Sequence, residues 1–170
     1  MRVAAVVLAL VASAAAMAHG IFDEFAAGFG GVPWGIDFPA LLAQFPGGYE
    51  DFSTAPGGVA YALNIDDPVL GIARRGQHVT YGIGTDGKVE FIQIQVPYDQ
   101  TSVLISTLTS SLGPAKSLEV RGVVTSYLWP NARGMALSVR TTNNRAYGLT
   151  ALTIHNPPRI AAKPSGGRPG

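Results

Sequence analysis

The chain has 170 residues, no cysteine and a formal net charge of +1. Without thiols there can be no disulfide framework, thiolate metal site or cysteine nucleophile. Arg2, Arg159, Lys163 and Arg168 lie outside residues 19–156, leaving 8 basic against 11 acidic side chains there, a balance that argues against nucleic-acid binding.

The first element is a secretory signal. Arg2 supplies a short positive region, Val3 to Ala16 an apolar run, and Ala16-Met17-Ala18 a small-x-small cleavage site. The run is shorter than the about 20 residues of a comfortable membrane span. The expectation is therefore removal of residues 1–18, a periplasmic or secreted location, and no stable membrane span after processing. An uncleaved anchor is the alternative. No cysteine follows the run, which excludes a lipid anchor. Removing 18 of 170 residues leaves 152, the size of one domain. An exported protein without cystines points to a bacterial envelope.

Residues 19–33 form a Gly/Phe-rich segment without clear period. A short helix is predicted next: Asp37 caps it, Pro39 suits its first turn, Leu41, Leu42 and Phe45 form its apolar stripe, and Pro46-Gly47-Gly48 stops it. A loop at 50–57 leads to the strand "GVAYALNI", which ends at Asp66-Asp67-Pro68. The clearest local signal is "HVTYGIGTDGKVEFIQIQV". Asp86-Gly87 predicts a two-residue type I′ turn, pairing Tyr81 with Ile92 and Val79 with Ile94 on an apolar face. His78 would then face Gln95, and Thr80 Gln93, on a wet face.

A second helix is predicted in "YDQTSVLISTLTSSLGP", capped by Asp99 or Thr101, with Val103, Leu104, Leu108 and Leu112 on its apolar side. Its serines and β-branched residues give weak propensity, so packing has to hold it. Four strand-like stretches follow: "SLEVRG", "VVTSYLW", "GMALSVR" and "AYGLTALTIH". The expected class is α+β: two α-β units, 34–97 and 98–156, with short helices on one face of a curved antiparallel sheet. A disordered tail covers 157–170.

The rhythm "WGIDFPALLAQFPGG…DGKVEFIQIQV…LISTLTSSLGPA…SYLWP" resembles small exported bacterial tandem helix–sheet domains. The β-lactamase-inhibitor-protein fold and the small lipoprotein of the outer-membrane assembly machinery are examples. The resemblance spans about residues 33–155 and implies that fold and a role in binding other proteins or stabilising envelope assemblies. It carries no catalytic motif, and the lipidated cysteine of the assembly lipoprotein has no counterpart.

Cleavage after Ala18 would expose His19, whose amine and imidazole Nδ1 suit Cu(II) or Ni(II). With a second histidine such as His78 it would resemble, in that respect alone, the copper site of lytic polysaccharide monooxygenases. The simpler reading is that some residue must follow every cleavage site. "NIDDP" offers Asn64, Asp66 and Asp67 to a cation but lacks the longer loop and terminal Glu of a calcium hand, so it reads as a turn. No nucleophile elbow or phosphate loop is present. Phe22, Phe25, Phe29, Trp34 and Phe38 crowd the N-terminal segment, as packing or as a partner-binding arm. Tyr127 and Trp129 share one strand face with Thr125: a binding patch if that face is free of helix, core if it is covered.

Taken together, these features predict an exported, non-catalytic binding protein with a protein or envelope component as partner and no cofactor. Tyr127, Trp129 and Trp34 are its candidate contacts. The alternative is a copper-dependent enzyme using His19.

Overall fold

The computed structural model describes residues 21, 23–51, 59–132, 135–142 and 148–155. The predicted signal, His19, Phe22, most of the 50–57 loop and the 157–170 tail lie outside the described residues.

The strands are β1 (Gly28–Phe29), β2 (Val32–Pro33), β3 (Tyr49–Glu50), β4 (Ala60–Asn64), β5 (His78–Ile83), β6 (Val89–Pro97), β7 (Ser117–Arg121), β8 (Val124–Ala132), β9 (Met135–Thr142) and β10 (Leu149–His155). The helices are α1 (Phe38–Gln44) and α2 (Thr101–Leu112), the latter led in by a 3-10 turn, Tyr98–Gln100. β1 and β2 form a small ribbon. The other eight strands make one antiparallel sheet in the order β3-β4-β5-β6-β10-β9-β8-β7.

This arrangement corrects the expected class. The chain is mostly β, built on a large eight-stranded sheet, with one helix of consequence and a second, short one among the described residues. β6 and β10 pair along seven residues, so the four strands after each helix join in one eight-stranded sheet. The expectation gave two short helical patterns the same weight as seven strand patterns. Burial shows why they are not equal, because α1 buries only Leu41, and α2 buries only Leu104 and Leu108.

Alternation sets the faces. In β6, Val89, Ile92, Ile94 and Val96 point into the core, and in β10 Thr150, Leu152 and Ile154 do so. Val79 pairs with Ile94 and Tyr81 with Ile92, as the sequence predicts. The turn differs. The register shifts between Gly82 and Ile83, Gly84 pairs with Lys88, and Gly87 takes φ +79°. That is a three-residue loop closed by a left-handed glycine rather than a two-residue type I′ turn. The Phe91 ring lies across Gly82 and leaves no room there for a Cβ.

The two halves of the core face are covered differently. Over β4, β5 and β6 lie α1 and the N-terminal segment, which buries Ile21, Phe25, Phe29 and Val32. Two tyrosines pin these layers. The Tyr81 hydroxyl donates to the Phe29 carbonyl at 2.9 Å, and the Tyr61 hydroxyl donates to the Phe45 carbonyl at 2.7 Å. Asp37 caps α1 by accepting from the Ala40 N–H, while Leu42 of the expected stripe is exposed.

Over β10, β9 and β8 lies α2. Thr101 at its start meets Thr150 of β10 at 2.5 Å, and the Gly113 carbonyl past its end accepts from Trp129 of β8. The helix therefore crosses three strands. Neither Asp99 nor Thr101 caps it as expected. The preceding residue is Gln100, which makes no side-chain cap, and Val103 points to solvent. Packing holds this helix, since each fully buried leucine contributes about 1.5–3 kcal/mol.

A cleft beside the long helix

Tyr127 and Trp129 lie on the helix-covered face of β8, because they pair across to Val139 and Leu137, both buried. That placement decides the alternative left open by the sequence. Trp129 is 3% exposed, and its indole N–H donates to the Gly113 carbonyl at 2.9 Å, so it is core. Tyr127 is half-buried, stacked on Trp129 with centroids 6.2 Å apart and planes 19° apart. The end of α2 seals the tryptophan, while the tyrosine keeps part of its surface open.

A cleft of about 390 Å³ opens there between α2 and β8–β9, lined by Tyr98, Asp99, Thr101, Ser102, Ile105, Tyr127 and Thr141. Behind it, hydroxyls meet in series. Thr101 and Thr150 are 2.5 Å apart, Thr150 and Thr141 are 3.1 Å apart, and Thr101 donates to the Tyr98 carbonyl at 2.6 Å. Buried hydroxyls demand such partners. The result is a polar seam beside an aromatic floor, with Asp99 among the lining residues. Alternation in "VTSYLW" predicts that Thr125, Tyr127 and Trp129 share a face. Nothing in the sequence signals that Thr101, Thr141 and Thr150 converge.

Trp34 plays a different part. It is half-buried against the core, and its indole N–H donates to the Phe25 carbonyl at 2.6 Å. It tethers the N-terminal segment to itself, while Phe25 meets Phe29 at 6.0 Å. Among the described members of the aromatic cluster, Phe25 and Phe29 are thus packing residues.

The histidines do not converge. His78, at the start of β5, lies edge-on to Tyr49 at 5.6 Å, and its Nδ1 is buried without a hydrogen-bond partner. It pairs with Asn64 on β4, and the β5–β6 ladder ends at Val79 rather than reaching Gln95. His155 ends β10 opposite Phe91, with ring centroids 5.7 Å apart. Burial holds its imidazole below the ordinary pKa, against a smaller opposing pull from Glu90. β6 separates the two, and they are offset by about four residues, roughly 13 Å along the strands. Among the described residues no three His, Asp or Glu side chains gather as a metal cluster. In "NIDDP", Asp66 accepts from the Gly76 N–H and the Asp67 carbonyl accepts from Arg74, which makes that segment a structural turn.

Arg74 is the residue that sequence reasoning passed over. It is 2% exposed, yet among the described residues no carboxylate pairs with it at hydrogen-bond distance. Its guanidinium donates to the carbonyls of Gln95 (2.7 Å), Asp67 (3.1 Å), His78 (3.1 Å) and Gln77 (3.4 Å), and lies 5.8 Å from the Phe29 ring centroid. It fills the notch where the β5–β6 ladder ends and carbonyls would otherwise be orphaned. "ARRG" gives no hint of which arginine turns inward.

Comparison with protein-family models, curated proteins and solved structures yields no match. The cleft has to be read from its own chemistry.

Proposed function

We propose that this is an exported, non-catalytic binding protein of the bacterial cell envelope, and that the cleft beside α2 receives an amphipathic group of a protein or envelope partner. One observation carries the reading: a half-buried tyrosine, stacked on a buried tryptophan, lines a cleft together with Asp99, Thr101, Ser102 and Thr141. A preorganised aromatic with polar neighbours gives contact area at low entropic cost, as interface anchors do. Tyr127 is the proposed contact. Trp129 supports it from behind, and Trp34 braces the N-terminal segment.

The test is capture of partners from an envelope extract by the wild-type protein and by Tyr127→Ala. The reading expects a partner lost in the variant, and an unchanged set of captured partners would remove the cleft from consideration. Export itself is tested by intact mass, with His19 expected as the mature terminus.

A second reading, copper at an amino-terminal His19, draws on the unpartnered Nδ1 of His78. Cu(II) titration of wild type, His19→Ala and His78→Ala discriminates. Tight binding lost in both variants supports a copper enzyme, and weak binding lost only in His19→Ala supports incidental coordination at the terminus.

A further inference from the structure

The sheet has two edges, and they are unequal. β3 presents two residues, whereas β7 presents five with no strand beyond them among the described residues. An uncovered edge of that length carries unpaired N–H and C=O groups and is a template for another strand. Apolar exposure gathers there as well. Val120 (59%), Val123 (57%) and Leu128 (36%) belong to the β7–β8 hairpin and are three of the seven large apolar residues exposed among the described residues. Glu119 and Arg121 flank Val120 on the opposite face and pair with each other at 2.6 Å, 56% and 82% exposed.

From this edge we infer that the protein dimerises, with β7 of one copy pairing antiparallel with β7 of a second. A two-fold axis normal to the sheet keeps like faces together, so paired residues must have the same parity. Five registers are then centred on this strand, one on each residue. Those centred on Ser117 and Leu118 set no two charged residues opposite one another. Centring on Glu119 sets carboxylate against carboxylate, and centring on Arg121 sets guanidinium against guanidinium. Centring on Val120 places each Glu119 opposite the other copy's Arg121, twice, with the two Val120 side chains adjacent on the helix-covered face. Opposite charges directly across a ladder stabilise it and like charges oppose it. Charge therefore selects one register, and the partner it fits is this same chain. The inference goes beyond the proposed cleft function and does not depend on it.

Sedimentation equilibrium of the purified chain tests it. A reversible dimer is expected, weakening as salt rises. Glu119→Arg alone and Arg121→Glu alone each set like charges opposite one another and should raise the dissociation constant at least about tenfold. The double reversal E119R/R121E restores both cross-pairs and should return it to within about threefold of wild type. Both side chains are exposed, so the variants should keep the wild-type circular dichroism spectrum. A monomer at all concentrations overturns the inference. So does a dimer insensitive to either reversal, or a double variant that fails to recover. Tyr127→Ala should leave the dimer unchanged, which separates this result from the fate of the cleft.

Discussion

The two halves of the sheet are covered in contrasting ways. Over β4–β6 the N-terminal segment and α1 bury an apolar layer tied by hydrogen bonds from Tyr61, Tyr81 and Arg74 to main-chain carbonyls. Over β8–β10 a single helix covers the middle of the face, and threonines stand where the first half has apolar side chains. The first half ends in a two-residue edge. The second half ends in a five-residue edge with one exposed valine in it and another in the turn that follows. A region that only has to fold buries its face and shortens its edge. The second half leaves a cleft and an edge open, which is where binding surfaces are expected.

The comparison can be broken most sharply at Arg74. Arg74→Met removes the donors to four carbonyls and should cost on the order of 3–5 kcal/mol in urea unfolding. A loss under about 1 kcal/mol would mean that water replaces the guanidinium and that the first half is not pinned there.

Within the second half, the stacked pair should divide stability from binding. Trp129→Ala should cost about 3–5 kcal/mol, the range of a buried aromatic truncation. Tyr127→Ala should cost about 1 kcal/mol, because its ring is only half-buried. Equal losses would erase the distinction between support and contact.

Thr150→Val probes the polar seam. It removes the Thr150 partner of the Thr141 hydroxyl, while Thr101 keeps the Tyr98 carbonyl, and should destabilise by about 1–2 kcal/mol, seen as a lower midpoint of thermal unfolding. A gain in stability would make the seam a functional rather than a structural feature.

The smallest effect concerns His155. Its folded pKa lies below the ordinary 6.5, so between the two values the unfolded chain binds more protons. Stability from this group is therefore complete above pH 6.5 and declines as pH falls below it. His155→Phe should flatten that part of the profile of unfolding free energy against pH, and an identical slope in the variant would assign it to other groups.

Much of the sheet was legible in the sequence. The pairing of Val79 with Ile94 and Tyr81 with Ile92 follows from alternation, and the four strand stretches after residue 116 became β7 to β10. The Asp37 cap was legible too, since capping is a local hydrogen bond. The two-residue turn was misread because Asp-Gly serves both loop lengths, and the choice lies in the bulge opposite Gly82. Val103 and Leu42 were misplaced because a helical stripe is wider than the line of contact under it. The cleft was half visible: alternation put Tyr127 and Trp129 on one face, but where α2 ends on that face depends on chain path.

By itself, then, the sequence determined what is local: periodicity, caps, punctuation and the parity of each strand, because these depend on residues within a few positions of one another. Only the tertiary structure decided the mostly-β class, the union of all eight strands through β6 and β10, the inward turn of Arg74 and the meeting of three threonines. Those depend on contacts between distant segments. Which strand becomes an edge, and which half of a face a helix leaves bare, is settled only when the whole chain competes for the same surface.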